Sequence, residues 1–456
     1  MSQGNRLKRE RPGDSKCCGV VEAAAARSRE NREARAGPQP WIMRKSMIAF
    51  TLGLMGYSVY VYVGRLCVDM IRQKPGAGGS RSTGIALLVV FCVLFLWMMW
   101  AYIKVVITPP GVAKDHVPKS DRPPYSEPQP FIPYDYDVEG PRSPNARPSE
   151  SHRDSRDVDQ DSIGGPSYEN IHARMPVVAP DIAANASTSA EGDGNRNGDI
   201  SNIPTKPASS YGREKSAARY ISRRPWTTPI LRPENRYCPK DQIVKPHRTH
   251  HCRSCGTCIL KYDHHCPWIG QCVGARNQKF FVNFVQAASV YTIYVFVTLI
   301  VFTVRSARSP QGRVDPQRIV VIALAALLAL FTTLLLLTHA RLIWLGQTTL
   351  ENLQARSMKE RESRVMTDVL GWCAFREKLR TKRVWDAEWG RIDREGNIWW
   401  LGSGKKEWVD VMGKNPLGWC LPIGKSLNDG LTYPVNPRFD EQGIWRRRVE
   451  WPQELR

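Results

Sequence analysis

The amino-acid sequence predicts a mainly α, four-helix polytopic membrane protein with a small cysteine-rich domain between the second and third helices and a further subdomain after the fourth. Three observations predict it. Four apolar stretches reach spanning length, six of the twelve cysteines crowd between Cys238 and Cys272, and a long polar stretch separates the second apolar run from those cysteines.

Residues 1–45 form a basic N-terminal region, with eleven Lys or Arg before Ser46 and no early apolar core, so no cleaved signal peptide is expected. The first pair of spans falls in 46–107, at about Ser46–Val63 and Gly84–Ile103. The second pair falls in 280–340, at about Phe280–Val304 and Ile319–Thr338. Each approaches the roughly 18–20 residues a helix needs to cross a bilayer. Residues 108–224 are rich in Ser, Pro, Asp, Asn, Gly and Arg and read as a disordered insert. The tail, 341–456, is basic and holds most of the fifteen Trp, which favour a membrane interface. No internal repeat is read along the chain.

Four spans place both termini and the cysteine-rich loop on one side. The positive charge before Ser46 outweighs that of either opposite loop, which points to the cytosol. Clustered free thiols survive best in a reducing compartment, which points the same way. The remaining cysteines are scattered, unlike a secreted disulfide scaffold. A net charge of +22 suggests nucleic acid, an anionic membrane face or phosphate-bearing small molecules as partners. Tethering by four spans and the lack of a finger helix between ligand pairs exclude nucleic acid.

Within the cysteine-rich region, 236–279, Cys252, Cys255 and Cys258 form two overlapping Cys-x2-Cys pairs, the spacing that brings two thiolates to one zinc from a tight turn. Two closed tetrahedral sites need eight ligands. With one cysteine kept for chemistry, five thiols and two imidazoles drawn from His250, His251, His264 and His265 leave the set one short. Asp241, three residues after Cys238, is the candidate for the eighth. Alternation decides which cysteine is free if the segment Asp263-His264-His265-Cys266 is extended. His264 and Cys266 then share a face and His265 turns back toward the metal. A neutral His beside a thiol can take its proton, and Asp263 can hold that His in the right tautomer.

These residues carry a resemblance. The run Tyr237-Cys238, Lys245-Pro246-His247-Arg248-Thr249-His250-His251-Cys252, Cys255, Cys258, Asp263-His264-His265-Cys266-Pro267-Trp268, Cys272, Gly274 and Asn277 closely resembles the DHHC protein S-acyltransferases (palmitoyltransferases), and the long insert is similar to that of fungal members. Thr348-Thr349-Leu350-Glu351 matches the family's Thr-Thr-x-Glu motif, and Leu401–Gly413 and Trp419–Pro434 resemble its C-terminal region. The resemblance implies a zinc-bound cytosolic domain of short β-hairpins. It implies one zinc on Cys238, His251, Cys258 and, in place of a cysteine, Asp241, and a second on Cys252, Cys255, His265 and Cys272. It assigns Cys266 as the acylated nucleophile, His264 as base, Asp263 as its orienting partner and Thr349 as a support for Asp263. The acyl donor would be palmitoyl-CoA, and the acceptors cysteine-containing, membrane-associated proteins at the lipid bilayer. Lys245 and Arg248 are expected to meet the CoA phosphates, and Tyr291 in the third span to limit acyl-chain length. Three departures stand out: Pro109-Pro110-Gly111 in place of Asp-Pro-Gly, Gly270-Gln271 before Cys272, and Glu407 in place of Asn. A catalytically silent zinc-binding membrane adaptor is the alternative reading.

Overall fold

The computed structural model describes residues 38–124, 223, 225–310 and 314–456. The expectations for residues 1–37 and for most of the insert lie outside the described residues. All described residues belong to one unit.

Four helices are long and apolar enough to cross a membrane: α1 (Trp41–Ile71), α2 (Arg81–Ile107), α3 (Gln278–Ala307) and α4 (Pro316–Trp344). Each overruns the apolar run that marks it in the sequence. Polar residues at the ends of a helix cost little once its middle is buried in apolar surroundings, so hydropathy alone truncates the boundaries. The starts are set by local chemistry. Ser80 caps α2 by accepting from the Thr83 N–H, and Asp315 caps α4 with Pro316 at the first helical position. Helix α1 is π-helical over Tyr60–Cys67. There Tyr62 is fully buried, stacks on Phe91 at 4.3 Å and shares a hydrogen bond with Thr298 at 2.9 Å. The helices share one apolar cluster, in which Tyr62, Phe91, Met98, Phe281, Tyr291 and Val295 are buried.

Between α2 and α3 lie three two-stranded antiparallel hairpins: β1 (Tyr237–Cys238) with β2 (Ile243–Val244), β3 (His250–Cys252) with β4 (Thr257–Ile259), and β5 (His264–Cys266) with β6 (Gln271–Val273). Such short strands cannot hold themselves together in water. The sequence reads 108–224 as insert, but its first residues fold onto these hairpins. Val112 bridges to Ile259, Ala113 is fully buried, and the Ser120 N–H donates to the Gln242 carbonyl.

Two of the sequence departures have a visible use here. The Gln271 amide donates to the carbonyls of Val105, Val106 and Thr108 at 2.8–3.0 Å, closing the carbonyl end of α2. Gly111 takes φ +95°, a conformation that favours glycine, and its carbonyl accepts from the Leu260 N–H. The turn of Pro109-Pro110-Gly111 thus survives without its acid.

After α4, a capping box opens α5 (Thr349–Leu370), with Thr348 and Glu351 satisfying each other's backbone N–H. Helix α6 (Phe375–Trp389) pairs with α5 around Met366 and Trp385. Arg223, with no side-chain exposure, bonds to Glu362 on α5 and Asp386 on α6. Helix α7 (Gly404–Met412) packs on the spans through Val411 and Met412, against Val282 and Ile343. Asn283 of α3 donates to the Trp419 carbonyl at 2.9 Å, fixing the chain beyond α7 to the same surface.

Candidate active site and metal centres

The three hairpins repeat with a period of 14 residues, a repeat that the sequence reading misses. His250-His251-Cys252-x2-Cys255-Gly256-x-Cys258 and His264-His265-Cys266-x2-Ile269-Gly270-x-Cys272 align throughout, and Cys238-x2-Asp241-Gln242 aligns with the middle of both. The turn residue four after each leading cysteine is left-handed in every copy: Gln242 at φ +54°, Gly256 at +68° and Gly270 at +61°. Two copies sharing only His, Cys and Gly hide easily among motif residues. The signal was the constant spacing of Cys238, Cys252 and Cys266.

This repeat builds the metal sites. In the second and third hairpins the cross-strand partners are ligand types, His251 opposite Cys258 and His265 opposite Cys272. Each such pair meets the turn of the preceding hairpin. Cys238 and Asp241 therefore gather with His251 and Cys258, while Cys252 and Cys255 gather with His265 and Cys272. In a tetrahedral zinc site with bonds of about 2.0–2.3 Å, ligand atoms lie roughly 3.3–3.8 Å apart. Both sets fit. Around His265 Nδ1 the sulfurs of Cys252, Cys255 and Cys272 stand at 3.7, 3.4 and 3.5 Å, and Cys255 and Cys272 are 3.5 Å apart. Around His251 Nδ1 stand Cys238 at 3.7 Å, Cys258 at 3.8 Å and Asp241 Oδ1 at 3.3 Å. The second Asp241 oxygen accepts from the Cys258 N–H at 2.6 Å, which aims the carboxylate. Asp241 thus stands where an eighth ligand has to be. His250 belongs to neither set.

Cys266 leads the third hairpin as Cys238 and Cys252 lead theirs. Among the described residues no further hairpin brings a His/Cys pair to it, and Ile269 stands where Asp241 and Cys255 stand in the other copies. Cys266 is 6% exposed and packs with Ile269 and Val273 into the apolar cluster of the spans. Strand β5 is extended, so its side chains alternate. His265 faces the metal set, whereas His264 lies on the same face of the strand as Cys266.

Behind His264 lies Asp263, whose Oδ2 accepts from His264 Nδ1 at 2.6 Å. Thr349, at the first position of α5, donates its N–H to Asp263 Oδ1 and its hydroxyl to Oδ2, both at 2.8 Å. Burial alone would raise the Asp263 pKa, but these hydrogen bonds and the neighbouring imidazole hold it down at about 2. Burial alone would lower that of His264, but the hydrogen bond to Asp263 and the nearby Cys266 sulfur lift it to about 9. The arrangement can therefore move a proton from the sulfur to an imidazole whose charged form is stabilised from behind.

The sequence reading misses His339 of α4. It is 4% exposed, with its ring 5.6 Å from that of His264 and 5.0 Å from that of Phe281. A histidine at the end of an otherwise apolar span was the signal available.

One expected contact is corrected. Arg248 does not face solvent where CoA phosphates could reach it. Its guanidinium is a fork on Glu351, at 2.8 and 2.7 Å, with a third bond to the Gly346 carbonyl at 3.0 Å and the Tyr433 ring against its face. A bidentate carboxylate at such range uses the donors a phosphate would need. Lys245 is half-buried. Tyr291 lies deep among the spans, its hydroxyl sharing a 2.7 Å hydrogen bond with Ser58 of α1 and its ring beside Phe91 and Phe95. Glu407, the third sequence departure, is buried. It accepts from the Leu401 N–H at 2.7 Å, near Arg248 and Lys261.

Comparison with known proteins agrees with this geometry. The DHHC palmitoyltransferase family model matches residues 232–356. The chain is 32% identical to palmitoyltransferase PFA3 of Saccharomyces cerevisiae over 231 residues, covering 47% of this chain and 62% of that one. It is 29% identical to palmitoyltransferase ZDHHC15 of Xenopus laevis, over 48% of this chain and 56% of that one. It is also 29% identical to human palmitoyltransferase ZDHHC20, over 44% of this chain and 46% of that one. The chain thus spans between about half and two thirds of these relatives. Residues 232–356 thus carry a domain like that of the DHHC palmitoyltransferases, set between span-length helices and holding two sets of metal-ligand residues.

Proposed function

We propose that this protein is an S-acyltransferase that moves a long-chain acyl group from acyl-CoA to cysteine thiols of membrane-associated proteins. His264 takes the proton of Cys266, and the thiolate attacks the thioester carbonyl. The C–S bond to CoA breaks, CoA leaves as its thiol, and Cys266 carries the acyl group. The thiolate of an acceptor cysteine then attacks this thioester and frees Cys266. A covalent intermediate of this kind gives ping-pong kinetics. Zinc bound by the two sets would supply structure, fixing the hairpins that carry Cys266 and His264. The observation that carries the reading is the Thr349–Asp263–His264 chain of hydrogen bonds, with Cys266 on the same strand face as His264 and packed into the apolar cluster of the spans.

Burial of an acyl chain contributes roughly 0.8 kcal/mol per CH₂, so the bundle below Cys266 suits a long chain. The 2.7 Å Ser58–Tyr291 bond supports a floor to that space. Of the two cations expected at the CoA phosphates, Lys245 is the one left for that contact. Charge bias and thiol chemistry support a cytosolic cysteine-rich domain with both termini on the same side. No structural observation favours the silent adaptor.

The test is incubation of purified protein with labelled palmitoyl-CoA followed by hydroxylamine. The expected result is thioester-linked label on the wild type and none on Cys266→Ser. Equal label on both, or none on either, refutes the proposal.

A further inference from the structure

A second site is lined by none of the residues of the proposed catalytic group. A cavity of about 840 Å³ opens where α4 ends, and Arg341, Arg394, Lys405, Trp344, Trp408 and Trp419 are among the residues that line it. That is a volume typical of small-molecule sites. Asp393, also in the lining, stands 3.4 Å from Lys359 and 3.4 Å from Arg391, so its charge is offset on both sides. Arg341, Arg394 and Lys405 have no carboxylate within ion-pair distance among the described residues. The Arg394 Nε is buried with no acceptor at all. A buried guanidinium N–H without a partner is costly, and an anionic oxygen is the group it lacks.

The position of the cavity says which anion. On α4, Leu330, Leu334, Leu337, Arg341 and Trp344 recur at helical spacing and form one stripe. Leu330, Leu334, Leu337 and Trp344 are 61%, 55%, 61% and 49% exposed. In a membrane the leucines of that stripe meet acyl chains. Arg341 and Trp344 then stand at headgroup depth, where Trp and basic residues belong. A soluble phosphate compound would use the cations alone, without the apolar stripe that leads to them. A lipid uses both.

We propose that this cavity binds the phosphorylated headgroup of an anionic phospholipid, with the acyl chains lying along Leu337 and Leu334. The phosphate would accept from Arg341, Arg394 Nε and Lys405, and the glycerol region would rest on Trp344. This goes beyond the acyl-transfer reading and does not depend on it.

The test is native mass spectrometry of the full-length protein from phosphatidylcholine nanodiscs containing phosphatidylinositol 4-phosphate. We expect one phosphoinositide retained per wild-type chain. Arg341→Ala/Lys405→Ala should retain at least tenfold less, with unchanged melting temperature and Cys266 labelling. Should the double variant fail to fold, the exposed single change Lys405→Ala still predicts a severalfold loss. Free inositol bisphosphate and CoA, offered in detergent, should bind at least tenfold more weakly than the lipid and be indifferent to these changes. Equal retention by folded variants, or binding of the free headgroup or CoA as tight as that of the lipid, overturns the proposal.

Discussion

Thr349→Val removes one hydroxyl 2.8 Å from Asp263 and keeps the shape of the side chain. Asp263 now receives three hydrogen bonds, from His264 Nδ1, the Thr349 N–H and the Thr349 hydroxyl. It is 2% exposed, so no solvent replaces a lost donor. A hydrogen bond to a buried charge is worth about 1.5–3 kcal/mol. If that support is felt when the imidazolium forms, the acylation rate falls by roughly 10- to 150-fold. The assay is single-turnover labelling of Cys266 at saturating palmitoyl-CoA. Thr349→Ser keeps the hydroxyl and should return most of the rate. Zinc content and melting temperature should stay near wild type, since Thr349 touches neither metal set. A valine variant within threefold of wild type, or a serine variant as slow as valine, refutes the assignment of Thr349 to the catalytic chain.

Asp241→Ala should release one of two zinc ions per chain under chelator dialysis, measured by elemental analysis, whereas Asp241→Cys should keep both. Two chelator-resistant ions in the alanine variant would show that the carboxylate is not a ligand. Glu407 predicts a pH dependence of stability. Burial raises its pKa from 4.5 to about 7, against the opposing pull of the Leu401 N–H, Arg248 and Lys261, while Asp410 adds to the rise. The stabilising protonated form is present in the fold below about pH 4.5 and is lost as pH rises through about 7. The fold should therefore lose roughly 3 kcal/mol across that window, and Glu407→Gln should remove the dependence. Melting curves in detergent from pH 5 to 8 that are parallel for the two proteins would contradict this. Tyr291→Ala should shift acyl preference toward chains longer than palmitoyl in a competition assay, and an unchanged profile would remove Tyr291 from that role.

What the sequence discloses depends on how far apart the cooperating residues are. The spans, the Cys-x2-Cys turns and the Asp263–Cys266 alternation are local, and periodicity with ligand chemistry reveals them. The partner of Arg248 is not local. Glu351 lies 103 positions away, and nothing near Arg248 says that its charge is already engaged. His339 of α4 and His264 of β5 lie 75 positions apart and meet only in the fold. Hydropathy blurs the edges of the spans because polar residues such as Lys104 and Arg341 continue helices that only their apolar middles reveal. The Gln271 cap on α2 was equally hidden, since it needs the third hairpin and the second span in place at once.

The hairpin repeat also has a consequence for failure. Each metal set ties one hairpin to the next, so the three are links in a chain rather than petals around a centre. Opening the Cys238 set unhooks only the first link and leaves the third tied to the second. Opening the Cys252 set casts loose the link that bears Cys266. Damage to the two sets should therefore be unequal, and Cys266 is the end link, presenting the thiol that in earlier links is spoken for.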